Sequence, residues 1–314
     1  MSGSATPHSP AIAVVGPTAS GKTALGMALA ERFRGEIVSC DALQVYRHMD
    51  VGTAKPSAGD RERIAHHMLD LREPCQDFTA GDYQRMGREA LKAIRARGNV
   101  PVVVGGTGFY LRVLTEGLFE GPGRSEELRA RLRRIVARRG PQCIHSALHR
   151  VDPESANRLA PADAERNIRA YEIYLQSGRT MTWWQGLPKD TLTGFRWLKL
   201  SIRRPRTDLY ARIDRRVEEM FRQGFVEEVR ALMEGYPRDC HAFKAIGYRQ
   251  IAAHLEGKCT MEQAIEDTRR ESRRYAKRQL TWFRADPEIV WLDAAAGEEA
   301  PLAAAADIAA FFLR

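Results

Sequence analysis

Short apolar runs alternate with helical patterns along the first third of the chain. The run at residues 11–15 is rich in β-branched side chains and ends at Gly16, and a helical pattern over residues 22–33 follows it. The same alternation continues with a strand at 36–40, a helix at 80–97 and a strand at 100–104. Strands that alternate with helices predict a parallel sheet with helices packed on both faces.

The pattern changes after Gly121-Pro122-Gly123, which interrupts the alternation. Residues 125–177 show one helical pattern after another and no strand pattern, and a strand returns at 195–202 before a basic, helical C-terminal region. This order predicts three segments. They are the first part of an α/β core at 1–120, a helical insertion at 121–188, and the completion of the core with basic helices at 189–314.

Composition and charge narrow the class of partner. The chain has 314 residues, of which 44% are hydrophobic and 28% are charged, as is typical of a globular protein. The formal net charge of +9 favours an anionic partner, and it leaves nucleic acid and acidic lipid both open. No apolar run approaches the roughly 20 residues of a membrane helix. The Ser- and Pro-rich residues 1–10 lack the apolar segment of a secretory signal.

The spacing of cysteines and histidines argues against disulfides and metal sites. The five cysteines are scattered without a C-x-x-C pair, so we predict neither a disulfide framework nor structural zinc, and we expect a reducing, cytoplasmic location. His145 and His149 share a predicted helix but have no third ligand at a metal spacing. The adjacent His66 and His67 would point to different faces of a helix, so structural or surface roles are expected for all four.

The strongest motif lies between the first strand and the first helix. Gly16-Pro17-Thr18-Ala19-Ser20-Gly21-Lys22-Thr23 fits G-x-x-x-x-G-K-[ST] in the strand–loop–helix context that this motif requires. Backbone N–H groups and the helix N-terminus favour phosphate oxygens, Lys22 adds a full positive charge, and the Thr23 hydroxyl is suited to ligating Mg²⁺. The motif predicts an α/β fold with a P-loop NTPase-like parallel sheet and a polyphosphate ligand, which need not be a nucleoside triphosphate.

The ends of the other strands differ from those of a standard NTPase. Such an enzyme usually has an acidic residue for Mg²⁺ at the end of a later strand. Here the strand at 100–104 ends in Gly105-Gly106-Thr107, without a carboxylate. The acidic residue Asp41 follows the earlier strand at 36–40. Because ligands bind beyond the carboxyl ends of parallel strands, we expect Lys22, Asp41 and Thr107 to face one crevice. Such a site favours group transfer to a nucleophile that must lose a proton. The alternative for Asp41 and Thr107 is a turn or helix-cap role.

Six short segments follow one another in a recognisable order. They are residues 16–23, Asp41-Ala42-Leu43-Gln44-Val45-Tyr46, Gly52-Thr53-Ala54-Lys55-Pro56, Gly105-Gly106-Thr107-Gly108-Phe109-Tyr110-Leu111, Ala245-Ile246-Gly247-Tyr248-Arg249-Gln250 and Lys277-Arg278-Gln279-Leu280-Thr281-Trp282-Phe283-Arg284. Together they resemble the tRNA dimethylallyltransferase family over about residues 11–293. Each segment alone is a weak signal, but six in this order are highly specific.

The resemblance implies a reaction and a set of roles. Dimethylallyl pyrophosphate donates its allyl group to N6 of the adenosine just 3′ of the anticodon in tRNA, and pyrophosphate leaves with the assistance of Mg²⁺. Asp41 would accept or hold a proton of the adenine amine, and Thr107 would position that amine. Thr23 would be the protein ligand of the metal. The residues implied to hold pyrophosphate are Gly16, Thr18, Ala19, Ser20, Gly21, Lys22, Thr23 and Arg216.

The chemistry of this reaction fits the residue types. An exocyclic adenine amine is a poor nucleophile because its lone pair is delocalised into the ring, and an allylic pyrophosphate is a good electrophile only when its leaving charge is stabilised. Cations and N–H groups on the pyrophosphate, together with a base at the amine, lower the barrier from both sides. Each contribution is worth a few kcal/mol, on the order of what mutational studies of such groups find.

The resemblance also implies a tRNA surface around the anticodon stem-loop. The implied contacts are Asp41, Ala42, Leu43 and Gln44; Glu165, Arg166, Asn167, Ile168 and Arg169; Lys244, Ala245, Ile246, Gly247, Tyr248 and Arg249; and Lys277, Arg278, Gln279, Trp282 and Arg284. The family usually has serine where Ala42 stands, so one hydroxyl contact to the RNA is lost here. Since the target base must reach a deep crevice, we expect it to flip out of the anticodon loop.

Charge patterning bears on the same surface. Six cations between Arg269 and Arg278 cover about half of a helix circumference, with aromatic residues on the other half. Such a stripe alone is typical of a solvated face with glutamate partners, for example Glu266 and Glu271, whereas the resemblance favours contact with RNA phosphates. Seven arginines between Arg124 and Arg139 predict a further RNA contact in the insertion.

Two other functions remain as alternatives. The first is a small-molecule enzyme with the same core, either a P-loop kinase or an isopentenyltransferase that acts on AMP, and the basic helical regions argue against it. The second is an RNA-binding protein that uses a nucleotide as a switch, and Asp41 and Thr107 beside the loop argue against that. A monomer is expected in either case.

Overall fold

The computed structural model describes residues 8–295, 297 and 299–314, and the chain divides into two compact units. The first unit, called here the α/β unit, comprises the residues before Glu116 together with Leu192–Arg314. The second, the helical unit, is Glu116–Thr191. The limits of 121 and 188 that the sequence suggests for an insertion lie within the bounds of the helical unit.

A parallel sheet forms the centre of the α/β unit. Its six strands are β1 (Ser9–Val15), β2 (Gly35–Cys40), β3 (His66–His67), β4 (Val100–Gly105), β5 (Phe195–Arg203) and β6 (Ile289–Asp293), in the order β3-β2-β4-β1-β5-β6. Every pairing is parallel, and Ile12 in the central β1 lies opposite Val102 on one side and Leu198 on the other. The carboxyl ends of β1, β2 and β4 therefore meet at one edge of the sheet.

Four helices of the α/β unit come before the helical unit. They are α1 (Lys22–Arg32), α2 (Ala58–Arg63), α3 (Ala80–Ala96) and α4 (Gly108–Thr115). Local sequence explains where they begin. Thr79 and Asp82 form a capping box at the start of α3, in which each side chain accepts a hydrogen bond from the backbone N–H of the other.

Five helices make up the helical unit. They are α5 (Glu126–Arg139), α6 (Gln142–Val151), α7 (Pro153–Arg158), α8 (Ala164–Ser177) and α9 (Met181–Gln185). The prediction of successive helices over residues 125–177 is confirmed. Leu132, Ile144 and Ile168 are buried together and join α5, α6 and α8 through a small apolar core.

The remaining helices complete the α/β unit. They are α10 (Arg206–Arg222), α11 (Phe225–Gly235), a 3-10 turn (His241–Lys244), α12 (Tyr248–Leu255), α13 (Met261–Arg284) and α14 (Glu299–Leu313). One core cluster packs helices against the sheet, and a second gathers Val45, Met49, Phe225 and Tyr248 around α11 and α12. In the described part of the chain, no helix combines the length and the apolar character that a membrane span requires.

Two strands were absent from the sequence-based assignment. The C-terminal part was expected to be helical, but Ile289–Asp293 extends the sheet as β6 beside β5. His66 and His67 form the two-residue β3 and do not lie in a helix. His67 Nε2 lies 2.7 Å from Glu36 Oε2, and burial lowers the pKa of His66. A strand of two residues is too short to produce a periodic pattern, so the sequence could not reveal it.

The prediction that the cysteines stay unpaired is wrong for one pair. Cys75 and Cys240 form a disulfide, with their Cα atoms 4.6 Å apart and 165 positions between them in sequence. Cys40, Cys143 and Cys259 are free. The pair joins the segment before α3 to the turn before the 3-10 helix, and a spacing of that length carries no signal in a sequence.

Candidate active site

The phosphate loop, residues 16–23, connects β1 with α1 as the sequence predicts. Ala19 and Gly21 adopt left-handed backbone conformations with φ of 62° and 99°. A Cβ atom on Gly16 would lie 2.9 Å from the Ser201 hydroxyl of β5, so the chain needs glycine where the loop leaves the sheet. The resulting loop ends at the N-terminus of α1, which favours an anion there.

Two arginines that the sequence did not single out hold this loop in place. Arg204 Nε donates to the carbonyl of Ser20 at 2.8 Å, and Arg212 Nε donates to the carbonyl of Ala19 at 3.0 Å. These bonds fix two successive peptide groups in the left-handed part of the loop. The partners are 184 and 193 positions apart, so no local motif marks the contacts.

A cavity of about 380 Å³ lies beyond the carboxyl ends of the strands. The sequence-predicted residues that line it are Thr18, Lys22, Thr23, Asp41, Ala42, Leu43, Gln44, Arg216, Lys244, Ala245, Ile246, Arg278 and Gln279. Helix α10 contributes Arg216 and, on the same face, the apolar side chains of Ile213, Val217 and Met220. The cavity therefore has a cationic part next to an apolar wall.

The cationic part of the cavity is electrostatically unbalanced. Burial, and after it the positive charge of Arg216, lowers the pKa of Lys22 to about 8, although Asp41 partly opposes both effects. Burial also lowers the pKa of Arg216, again against the influence of Asp41. Two desolvated cations facing one carboxylate are relieved when an anion binds between them. The electrostatics thus agree with the loop geometry in favouring a phosphate ligand.

Asp41 and Thr107 come together at the ends of β2 and β4. Asp41 Oδ1 accepts a hydrogen bond from the backbone N–H of Leu43 at 2.9 Å, and Thr107 Oγ1 accepts one from the N–H of Ala42 at 3.1 Å. Asp41 is thus a turn residue and lines the cavity as well, so the turn role and a chemical role are compatible. Among the described residues, no group is hydrogen bonded to its second oxygen, Oδ2.

Tyr275 belongs to the same corner, although the sequence placed it on a packing face of α13. Its side chain lines the cavity. Burial, and after it the nearby Asp41 carboxylate, raises the pKa of Tyr275 to about 12, and hydrogen-bonding contact with Thr107 acts in the opposite direction. A neutral phenol therefore faces Asp41 and Thr107 at ordinary pH.

The segments around Gln44 and Gly52 form an internal network. Gln44 Oε1 accepts from the Ser39 hydroxyl at 2.8 Å, and its Nε2 donates to the carbonyls of Thr53 and Ala54, both at 3.3 Å. The side-chain amide of Gln44 thus ties β2 to the segment that contains Gly52. This bonding gives Gln44 a structural role beside its place in the cavity wall.

Glu228 of α11, which no sequence motif marks, holds the other side of that segment. Its carboxylate accepts hydrogen bonds from the backbone N–H groups of Asp50, Val51 and Gly52 at 2.9, 2.7 and 3.1 Å. It also accepts one from the Tyr248 hydroxyl at 2.6 Å. The phenol is fully buried, so the Tyr248 side chain is not on the surface, and the RNA contact that the resemblance implies for this residue stays a prediction.

The rest of the segment 244–249 borders the cavity. Lys244, Ala245 and Ile246 line it, whereas Arg249 is exposed to solvent. Gly247 has a φ of 86°, and a Cβ there would lie 2.6 Å from the Phe225 ring. The glycine allows this turn to pack directly on α11 before α12 begins.

The basic stripe of α13 is largely ion-paired. Arg269 pairs with Glu218 and Glu266, Arg270 with Asp267, Arg273 with Asp214 and Glu266, and Arg274 with Glu271. Within the described residues, Lys277 and Arg278 have no carboxylate at ion-pair distance, and Arg278 packs over the Tyr275 ring at 5.7 Å. Lys277, Arg278 and Arg284 therefore carry the unneutralised charge of this helix.

Two further side chains of α13, the indole of Trp282 and the amide of Gln279, contact other parts of the protein. Trp282 is partly exposed, and the Arg112 guanidinium lies 4.3 Å from the centre of its ring. Gln279 is buried, and its amide is hydrogen bonded inside the protein to Thr18 and Gly106. The side chain of Gln279 therefore lies inside the protein, and the RNA contact that the resemblance implies for it stays a prediction.

Residues 165–169 lie on α8 of the helical unit, and several of them face inward. Asn167 and Ile168 are fully buried, so their side chains are not on the surface, and the RNA contacts that the resemblance implies for them stay predictions. Glu165 is held by Arg129 and Arg133 at 2.8 and 2.9 Å, and Arg169 pairs with Glu172 at 2.8 Å. The exposed cation of the segment is Arg166, which also pairs with Asp163. Helix periodicity distributes five consecutive residues around the whole circumference, so they cannot share one exposed face.

The donor set for a metal ion is small. Among the described residues, no group of three or more histidine, cysteine, aspartate or glutamate side chains is placed to hold one. Thr23 and Asp41 supply a hydroxyl and a carboxylate to the cavity. This set fits Mg²⁺, which usually keeps several waters and is bound by one or two protein groups together with phosphate oxygens.

Together, the parallel sheet, the phosphate loop and the charged cavity define a P-loop-like α/β fold with a site suited to a phosphorylated ligand. The family model described as IPP transferase matches residues 44–286. The chain is 51% identical over 281 residues to a tRNA dimethylallyltransferase from Koribacter versatilis, which covers 89% of this chain and 91% of that protein. This chain therefore belongs to the IPP transferase family, whose named relatives are tRNA dimethylallyltransferases.

Solved structures lead to the same family. The chain is similar to the full-length tRNA isopentenylpyrophosphate transferase from Bacillus halodurans, with a TM-score of 0.72, 35% identity, and coverage of 98% of this chain and 97% of that one. It is also similar to a eukaryotic dimethylallyltransferase acting on tRNA, with a TM-score of 0.76, 29% identity, and coverage of 91% and 74%. These comparisons confirm the family resemblance that the six sequence segments indicate.

Proposed function

We propose that this protein transfers the dimethylallyl group of dimethylallyl pyrophosphate to N6 of the adenosine just 3′ of the anticodon in tRNA and releases pyrophosphate. The observation that carries the proposal is one cavity that combines the phosphate loop, the cations Lys22 and Arg216, and the carboxylate of Asp41. The names of the relatives agree with a tRNA substrate rather than with a kinase or an AMP-directed transferase. We place the reaction in the cytoplasm.

The phosphate loop is proposed to bind the leaving group. The backbone from Gly16 to Gly21 and the N-terminus of α1 face the pyrophosphate, and Lys22 and Arg216 neutralise the charge that develops as the allylic C–O bond breaks. The pKa of Lys22, which the protein lowers to about 8, rises when the anion binds, because the opposite charge favours the ammonium.

Mg²⁺ is proposed to join the pyrophosphate in this part of the cavity. The Thr23 hydroxyl would hold it, with Asp41 as the nearest carboxylate for its hydration shell, and most of its other ligands would be waters and pyrophosphate oxygens. When bound, it supplies additional positive charge to the leaving group.

The other part of the site is proposed to prepare the adenine amine. Asp41 Oδ2 accepts a proton or a hydrogen bond from N6, which increases the electron density on the attacking nitrogen. The Thr107 hydroxyl and the neutral phenol of Tyr275 orient the amine beside that carboxylate. The apolar wall of Ile213, Val217 and Met220 takes the five-carbon chain and keeps water away from the allylic carbon.

The exposed cations are proposed to hold the anticodon stem-loop while the target base is flipped into the cavity. Lys277, Arg278 and Arg284 of α13 remain unneutralised within the described residues, and Arg249 is exposed on α12. The arginines of α5 are proposed as a further RNA contact of the helical unit. Base flipping explains how an adenine of a folded tRNA reaches a cavity at the end of the strands.

The test measures the incorporation of label from dimethylallyl pyrophosphate into unmodified tRNA in the presence of Mg²⁺. Parallel reactions contain AMP as the acceptor in place of tRNA, or ATP alone to detect hydrolysis. We expect label in tRNA, at the adenosine next to the anticodon, and none in AMP. Label in AMP would instead make the protein an adenylate isopentenyltransferase. ATP hydrolysis without transfer to either acceptor would contradict the assignment of the phosphate loop to pyrophosphate.

A further inference from the structure

Gln279 of α13 connects two parts of the cavity that are far apart in sequence. Its side-chain Oε1 accepts a hydrogen bond from the backbone N–H of Thr18 at 2.9 Å, and its Nε2 donates to the carbonyl of Gly106 at 2.8 Å. These partners are 261 and 173 positions away along the chain. One amide group thus bonds both the phosphate loop and the turn that leads to Thr107.

The fit around this amide is close. A Cβ atom on Gly106 would lie 2.2 Å from Gln279 Nε2 and 3.3 Å from the carbonyl oxygen of Gly16. Any side chain at that position would therefore displace the amide or the loop. Gln279 is 6% exposed, so its two hydrogen bonds are shielded from competing water.

The turn at Gly106 determines the position of the acceptor groups. The N–H of Thr107 donates to the carbonyl of Cys40 at 3.1 Å, directly before Asp41. The Thr107 hydroxyl in turn accepts from the N–H of Ala42, directly after Asp41. A displacement of the Gly106 carbonyl is therefore transmitted to both sides of the catalytic carboxylate.

We propose that Gln279 is a positioning residue that fixes the phosphate loop relative to the Thr107 turn, and hence the allylic donor relative to the adenine amine. This inference rests on the proposed function. It differs from the RNA contact that the family resemblance implies for Gln279, because both ends of the amide are bonded inside the protein. Group transfer depends steeply on such alignment, and a misplacement of about 1 Å can cost on the order of 100-fold in rate.

The first variant is Gln279→Met, which keeps a side chain of similar length and removes both hydrogen bonds. We expect the single-turnover transfer rate at saturating tRNA and donor to fall by about 10- to 100-fold, with the Kd for tRNA within about twofold of the wild type. The matched control on the same helix is Arg274→Gln, an exposed side chain that Glu271 already neutralises. It should leave both the rate at saturating tRNA and the Kd for tRNA within about twofold of the wild type.

The second variant, Gln279→Glu, separates positioning from a loss of folding. An ionised glutamate still accepts from Thr18 but repels the Gly106 carbonyl, whereas a protonated glutamate reproduces both hydrogen bonds of glutamine. We therefore expect its transfer rate, relative to the wild type, to rise as the pH falls from about 8 to 5.5, as this carboxyl gains its proton. Thermal denaturation at each pH, compared with the wild type, verifies that folded protein is being assayed.

Three outcomes would overturn the inference. Gln279→Met with an unchanged rate and a weakened tRNA Kd would make Gln279 an RNA contact. A rate within about twofold of the wild type in both variants would remove any positioning role. If the transfer rate of folded Gln279→Glu, relative to the wild type, did not change across the pH series, the hydrogen-bonding geometry of the amide would be excluded as the cause of the loss in rate. Failure of the wild type itself to modify tRNA would instead contradict the proposed function.

Discussion

The phosphate loop and helix α13 both contribute to the active-site cavity, but their sequences encode that contribution in different ways. The loop is a contiguous motif whose glycines, lysine and threonine act together within eight positions of one another, at residues 16–23. Helix α13 shows a conspicuous stripe of cations, yet four of them are paired with carboxylates. Besides Arg278 of that stripe, its contribution to the cavity comes from the opposite, inconspicuous face, through Tyr275 and Gln279.

The difference has a physical cause. A loop that binds phosphate uses its own backbone, so the residues that shape it must be adjacent in sequence. A helix presents neighbouring residues to different directions, and the net charge of each face depends on carboxylates from other elements. Charge on a helix is therefore a weaker guide to function than a backbone motif, and the two regions should respond differently to substitution.

The largest effect is expected for Lys22→Met in the phosphate loop. Loss of the ammonium should lower the transfer rate by roughly 10²- to 10³-fold, because one of the positive charges that stabilise the leaving pyrophosphate is removed. The same substitution should raise the free energy of unfolding of the ligand-free protein by about 1–3 kcal/mol, because a desolvated cation is replaced by an apolar side chain. Single-turnover kinetics and denaturant unfolding measure the two effects.

The control for this prediction is Lys92→Met, an exposed lysine on α3. It should leave both quantities within error of the wild type. If Lys22→Met lost activity and stability together, the view that Lys22 is strained until an anion binds would be wrong.

The next prediction concerns pH. Lys22 has a pKa of about 8 in the folded protein, below its ordinary value of 10.5, so the folded protein loses this charge before the unfolded chain does as the pH rises. Binding of inorganic pyrophosphate needs the ammonium and should weaken by up to about tenfold per pH unit above 8. Between pH 8 and 10.5 the folded wild type no longer buries a charged Lys22, so the free-energy cost of that burial decreases as the pH rises. The gain in the free energy of unfolding that Lys22→Met gives should therefore shrink over this range.

Lys22→Arg provides the comparison for the pH series, since a guanidinium stays charged over this range. Isothermal titration with pyrophosphate should give a flatter profile for this variant than for the wild type. Equal slopes in the two proteins would assign the pH dependence to the ligand and not to Lys22.

The smallest effects are expected on the outer face of α13. Lys277→Gln should weaken tRNA binding by about three- to tenfold and reduce the slope of log Kd against log salt by about one, since one phosphate contact is lost. Arg274→Gln should change the Kd by less than about twofold, because Glu271 already neutralises Arg274 at 2.7 Å. Filter binding over a series of salt concentrations measures the Kd and its salt dependence for both variants. Equal losses of tRNA affinity in the two variants would contradict the distinction between unpaired and ion-paired cations on α13.

The sequence predicted much of this molecule and missed specific parts for definable reasons. The phosphate loop, the parallel sheet and the place of Asp41 at the end of β2 depend on local patterns, and they could be anticipated from residues 11–104. Glu228 could not, since its partners Asp50, Val51 and Gly52 are 176 to 178 positions away. The arginines that hold the loop and the amide of Gln279 likewise act over long separations.

Burial limits which residues of the expected RNA surface present a side chain to solvent. Asn167, Ile168 and Tyr248 belong to segments that the family resemblance associates with RNA, yet their side chains are fully buried. A motif assigns a role to a run of residues, whereas helix geometry divides the run between surface and core. The exposed members of those runs, such as Arg166 and Arg249, stay the predicted contacts.

The most direct test of the whole account is the single-turnover transfer rate of Asp41→Asn with saturating tRNA and dimethylallyl pyrophosphate. Asparagine keeps the acceptor for the Leu43 N–H and so preserves the turn, but it cannot take a proton from the adenine amine. We predict a fall of about 10²- to 10⁴-fold in rate, with the Kd values for tRNA and pyrophosphate within about threefold of the wild type. A rate within about fivefold of the wild type would contradict the assignment of Asp41 as the group that prepares the amine.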